Sequence, residues 1–209
     1  MTRLSWFDRY AGVLAAVCCA VAVIGFGAAF EVYSHAQHPL ALLGAHGVQR
    51  ALAFNLFAFV IPGAVATAIA LRLQARLSKA PQLLKGGMAG RIGGWLLAIS
   101  ALAFTAQGLL PVDPAELDGG HSQWHATAWT LWWLAFLPGA LLLGWSVRSV
   151  PGWRRTGQAL IVAALLAIVL NAMPAALLPG PIAQRLLLVL WWLCFVAVSR
   201  SRRERDTAR

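Results

Sequence analysis

Charge is what this sequence has least of. Charged residues make up 11% of the 209-residue chain, against roughly 25% in an average soluble domain. With 60% apolar residues there is too little polar surface to cover a water-soluble globule. A soluble enzyme domain, a coiled coil and a disordered chain are thereby excluded. Cysteine is scarce as well. Cys18, Cys19 and Cys194 all lie in apolar runs without metal-ligand spacing, so a disulfide scaffold is excluded and they read as small packing residues. No acid and no lysine sits in the middle of an apolar run, which removes the usual relay of a proton-coupled transporter or ion pump. What remains is an integral membrane protein.

A bilayer core of about 30 Å needs about 20 apolar residues at about 1.5 Å each. Runs 10–30, 51–71, 92–112, 124–147, 158–178 and 182–199 supply them, the last if Arg185 snorkels to the surface. They predict an all-α bundle of six transmembrane helices, one domain over 1–209, with no room for a soluble domain. Gly27-Ala28-Ala29 resembles a signal-peptide cleavage site, but run 10–30 exceeds the usual apolar length of about 7–15 residues, so it reads as a retained helix. Val60-Ile61-Pro62-Gly63-Ala64 is echoed by Phe136-Leu137-Pro138-Gly139-Ala140, and Leu131-Trp132-Trp133-Leu134 by Leu190-Trp191-Trp192-Leu193. These echoes suggest three tandem helical hairpins. Pro62, Pro138 and Pro174 fall inside the expected helices, where each should remove a hydrogen bond and kink the axis.

Seventeen basic against seven acidic residues give a net charge of +10. In a soluble chain that balance would suggest nucleic acid. Here the charges separate apolar runs and read as a topology signal, with anionic membrane lipids as the expected partner and no nucleic acid. Arg3, Arg9, Arg72, Arg76, Lys79, Lys85, Arg91, Arg148, Arg154, Arg155, Arg200, Arg202, Arg203, Arg205 and Arg209 fall on one side of six alternating helices. Only Arg50 and Arg185 fall on the other. The positive-inside rule then puts both termini in the cytoplasm of a bacterial inner membrane. Trp6, Trp95, Trp145 and Trp153 would form the interfacial belt on that side.

The polar chemistry collects on the opposite, outer face: His35, His38, His46, His121, His125, Glu31, Asp113, Glu116 and Asp118. The cytoplasmic side is read as solvated arginines and tail acids alone. The first connection, 31–50, is nearly uncharged and carries Pro39-Leu40-Ala41-Leu42-Leu43-Gly44, a pattern that fits a segment lying on the outer leaflet as a lid or a seal. His121 and His125 are spaced i and i+4, which places both on one helix face; with Asp113 or Asp118 as third ligand they could hold zinc. No Glu lies between them, so this is not the metalloprotease motif; hydrogen bonding at the interface is the plainer role. A haem carrier would want histidines near both faces, and the cytoplasmic half has none. Asn55, Gln107 and Asn171 lie within the membrane, where amides usually bond across helices. Trp129, Trp132 and Phe136 continue the His125 face as an aromatic stripe that either lines a groove or packs. Arg185 is expected to pair with Asp113, Glu116, Asp118 or Glu31. Asp113 and His125, at the facing ends of helices 3 and 4, are expected to share a pocket with the carboxylate bonded to the imidazole.

Tyr33-Ser34-His35, Leu42-Leu43-Gly44-Ala45-His46, Phe54-Asn55-Leu56-Phe57 with Pro62-Gly63, and Leu109-Leu110-Pro111-Val112-Asp113-Pro114 followed by His125-Ala126-Thr127-Ala128 resemble the domain-of-unknown-function family 998. The resemblance spans the whole chain. It implies a prokaryotic membrane protein of six helices without an established activity, and it points to Ser34, Asn55, Asp113 and His125. With His46 and Arg185 these form the candidate ligand-binding set, for a lipid or membrane partner held by the first connection and the helix 3–4 turn. A looser likeness to intramembrane lipid-amide hydrolases implies the alternative, a zinc hydrolase with His121, His125 and Asp113 as ligands. Those enzymes have seven helices and a histidine pair in the last; this chain has six, and run 182–199 holds no histidine.

Overall fold

A computed structural model of the chain describes residues 6–79 and 87–201. Arg3, Lys85, Arg202, Arg203, Arg205 and Arg209 lie outside the described residues, as does the side chain of His121. Six helices are long and apolar enough to cross a membrane, and no strand occurs among the described residues. They are α1 (Trp6–Ala28), α2 (Ala51–Lys79), α3 (Met88–Leu109), α4 (Gly120–Val147), α5 (Arg154–Ala172) and α6 (Gly180–Arg200).

Consecutive helices pack against each other, and α6 returns to α1 to close the bundle. Both chain ends share one end of it: Arg200 Nε donates to the Arg9 carbonyl at 3.4 Å, and Asp8 pairs with Arg72 and Arg76 of α2. That acid, nearly buried, corrects the reading of this side as solvated arginines and tail acids alone. The opposite end, called distal below, carries the three odd-numbered connections.

Small residues let the helices approach. A methyl group on Gly93 would come within 2.5 Å of the Leu143 backbone nitrogen, and one on Gly139 within 3.2 Å of the Gly93 carbonyl, so α3 and α4 touch backbone to backbone. Gly144 and Gly157 join α4 to α5 the same way. The centre is aromatic. Phe104 of α3 meets Trp132 of α4 and Trp191 and Trp192 of α6, with ring centroids 4.7–5.9 Å apart. Ser100, wholly buried, accepts from Trp191 Nε1 at 2.9 Å and donates to the Trp132 carbonyl at 2.8 Å, tying three helices at one hydroxyl.

Several expectations need correction. α5 stops at Ala172, so Pro174 lies outside it: proline disfavours helical geometry in the residue before it, and Met173 is extended (φ −69°, ψ 132°). Pro62 follows a wide π turn, Leu56–Val60, that makes room for the ring against the preceding turn. Pro138 sits in regular helix, so the two Pro-Gly segments are not structural equivalents. Trp153 is buried in the core, whereas Trp6, Trp95 and Trp145 are exposed as a belt requires. Trp132 and Phe136 are buried, so the stripe below His125 packs and lines no groove.

Candidate functional site

The distal end is organised by the connection between α1 and α2, and that connection is held from three sides. From α6, Arg185 donates to the Tyr33 hydroxyl, to the His38 carbonyl at 3.1 Å, to His35 Nδ1 at 3.3 Å and to the Pro181 carbonyl of its own helix at 2.6 Å. Its neighbour Gln184 accepts the Leu40 N–H at 3.1 Å. Within the connection the Ser34 N–H donates to His38 Nδ1 at 2.9 Å, and the Tyr33 ring stands perpendicular to that of His35. The expected carboxylate partner of Arg185 is not found: among the described residues every acceptor it meets is neutral. The reason is local. The connection folds back over the start of α6 and delivers a hydroxyl, a ring nitrogen and a carbonyl before any acid can reach it. Arginine can only donate, so His35 accepts at Nδ1 and carries its proton on Nε2. Burial, then the Arg185 charge, hold the His35 imidazole below its ordinary value. Burial pushes the Tyr33 phenol up, against the opposing effect of Arg185.

From α2, the buried Asn55 amide donates to the Gly44 carbonyl at 2.8 Å and so holds the short 3-10 turn Leu40–Gly44. Asn55 thus anchors the connection instead of bonding across helices, and Asn171 bonds back to Ala167 of its own helix. Amide links between helices are made by Gln74, whose Nε2 donates to the Arg91 carbonyl at 2.9 Å. Gln107 Nε2 is buried without a partner among the described residues.

From the α3–α4 turn, the Val112 carbonyl accepts the His46 N–H at 2.8 Å. The turn itself is closed by Ser122, which accepts the Asp113 N–H at 3.0 Å and donates to the Asp113 carbonyl at 3.2 Å. The Asp113 carboxylate accepts the Ala115 N–H at 2.9 Å and stays within its own turn. His125 Nδ1 lies 2.8 Å from the Leu110 carbonyl, the last turn of α3. The expected carboxylate–imidazole bond is therefore replaced: Ser122 couples to the Asp113 backbone, and His125 to a helix-end carbonyl. In the neutral ring that contact puts the proton on Nδ1 and leaves the lone pair on Nε2.

Between the connection and this turn lies a cavity of about 280 Å³, walled by Pro39, Ala41, Leu42 and Ala45 on one side and by Val112, Pro114 and Leu117 on the other, with Ser122, His125 and Ala126 of α4 at its base. Most of its lining falls in segments already quoted from the sequence, and a sequence profile of one protein family runs through all of it, matching residues 10–201. The chain belongs to the family described as Protein of unknown function (DUF998). No curated protein and no solved structure matches it.

In this DUF998 chain the candidates divide into two groups. Ser34 and Arg185 each bond to His38 at the α6 side, while His46, Asn55, Asp113 and His125 belong to the α2–α3–α4 side. Among the described residues no three of His, Cys, Asp and Glu converge as a metal site. Sequence reasoning passed over Tyr33, Gln184 and Ser122. Tyr33 stood inside a quoted segment, and Ser122 between His121 and His125, beside histidines that drew the attention; Gln184 gave no signal, because one amide at a helix start is ordinary.

Proposed function

We propose that this DUF998 protein is a multi-pass protein of the bacterial inner membrane that binds a lipid-like ligand at its outer face. The cavity beneath the first connection carries this reading. Its walls are apolar, and its polar groups are two, Ser122 and His125. Few polar groups in a mostly apolar pocket are the usual composition of a small-ligand site. Ser122 gives its single hydrogen to the Asp113 carbonyl and also accepts the Asp113 N–H, so it and His125, through Nε2, can meet a ligand only as acceptors. That favours an apolar body bearing a hydroxyl or amide N–H, such as a lipid alcohol or a lipid amide. The orientation rests on charge: Arg9, Arg72, Arg76, Lys79, Arg91, Arg148, Arg154, Arg155 and Arg200 gather near the termini, and Arg50 and Arg185 alone among the described basic residues are distal.

The binding reading is tested on the purified protein with a photoactivatable long-chain alcohol. Labelling should map to the cavity and fall about tenfold in His125→Phe, which keeps the volume and removes the acceptor; one such bond to a ligand is worth about 1–1.5 kcal/mol. Undiminished labelling in both His125→Phe and the cavity-filling Ala41→Trp would overturn it. Reporter fusions at Asp118 and at the C-terminus should report opposite sides of the membrane, with the C-terminus cytoplasmic.

A further inference from the structure

A second opening lies on the flank of the bundle, between α1 and α6. It is a groove of about 470 Å³ with wholly apolar walls, closed at its distal end by His35 and Arg185. On α6 it is lined by Arg185, Leu188, Val189, Trp192, Leu193 and Val196, a single stripe at i, i+3, i+4, i+7, i+8 and i+11. From Arg185 to Val196 the helix rises about 16 Å at about 1.5 Å per residue, close to half of a hydrocarbon core of about 30 Å. The groove is therefore one leaflet deep. It shares no lining residue with the cavity under the connection.

The stem of Arg185 closes the head of the groove, and its guanidinium carries a charge that the described residues do not neutralise. Arg185 meets a hydroxyl, a ring nitrogen and two carbonyls, and no carboxylate. These contacts engage Nε, both hydrogens of Nη2 and one of Nη1, which leaves one Nη1 hydrogen over. A cation at the edge of hydrocarbon is costly unless an anion reaches it, and a phosphate oxygen forms the strong, charge-assisted bond that guanidinium favours. We propose that this groove seats one anionic phospholipid, with its phosphate at Arg185 and one acyl chain laid along α1 and α6.

The test is native mass spectrometry of the full chain after reconstitution in equal parts phosphatidylglycerol and phosphatidylcholine. The wild type should retain one phosphatidylglycerol in preference to phosphatidylcholine. Arg185→Lys, which keeps the charge, should keep the preference; Arg185→Gln should lower it about tenfold. Ala20→Trp puts an indole into the groove from α1, touches none of the Arg185 contacts, and should abolish retention. Thermal unfolding checks that each variant is folded, and if Arg185→Gln is not, Ala20→Trp with Arg185→Lys decides. Unchanged retention in Ala20→Trp removes the groove from the account, and unchanged preference in Arg185→Gln removes the charge; either result overturns the proposal. His125→Phe should leave phosphatidylglycerol retention as in the wild type, so this site and the cavity fail or stand separately.

Discussion

Adding a single methyl group at Gly44 tests how the connection is held. The Gly44 backbone itself tolerates alanine, since its φ is not among the positive ones. The obstacle is Asn55: a methyl on Gly44 would overlap the Asn55 amide, whose oxygen and nitrogen lie directly against it. Gly44→Ala must therefore push the amide away and break its 2.8 Å bond to the Gly44 carbonyl. Side-chain hydrogen bonds in membrane proteins average about 0.6 kcal/mol and reach about 1.7, and a carbonyl left buried without a partner adds about 1–3 kcal/mol. Gly44→Ala and Asn55→Ala should each cost about 2–4 kcal/mol, which at about 2–4 °C per kcal/mol for this size lowers the melting temperature by about 4–16 °C. Because the methyl and the amide compete for one space, the two losses must not add. In the Asn55→Ala background, Gly44→Ala should cost less than about 0.5 kcal/mol. Thermal unfolding in one detergent, followed by tryptophan fluorescence across the four-member cycle, gives the coupling. Additive losses, or a Gly44→Ala protein as stable as wild type, would refute the reasoning.

Ser100→Ala should lower stability by about 1–3 kcal/mol and shift tryptophan emission, because Trp191 Nε1 loses its acceptor in a buried site. Gly139→Leu should separate α3 from α4 and lower the melting temperature by an amount equivalent to about 1–3 kcal/mol, since the nearest atoms on α3 include backbone that cannot yield. The connection should loosen in acid: His35 is held below its ordinary 6.5 by burial and by Arg185, so its contact is complete above that value and is lost as pH falls through the lowered one. Hydrogen-exchange protection over 31–44 should drop as the pH falls below 6.5, and the drop should vanish in His35→Asn.

The helices could be read from the chain because the membrane demands long apolar runs, and that demand acts on composition. Their ends were less legible. Run 158–178 carries the expected helix through Pro174 because it stays apolar past the end of α5, and hydropathy does not register the turn that a proline imposes. The distal histidines were correctly gathered on one end, but their partners were misread in a consistent direction. Acids were matched to Arg185 and His125 by charge, whereas the fold supplies backbone carbonyls: His38 and Pro181 for the one, Leu110 for the other. Every residue has a carbonyl, so composition carries no trace of which one is aimed at a side chain. Asp8 was passed over for the opposite reason. It stands alone before an apolar run, and only the packing of α1 against α2 brings Arg72 and Arg76 to it.

The three-sided anchoring of the first connection also sets an order of assembly. The connection is made early, yet its partners arrive at widely different times: Asn55 within 11 residues of Gly44, Val112 after His46 by 66 positions, and Arg185 after Tyr33 by 152. At synthesis rates of about 5–20 residues per second, the last interval is about 8–30 s. Until Val112 is made the segment has only its own turns and Asn55 to hold it; the α3–α4 turn then joins them, and Arg185 comes last. The distal face is thus completed only when α6 enters, so a helix made five helices later closes the connection that follows α1.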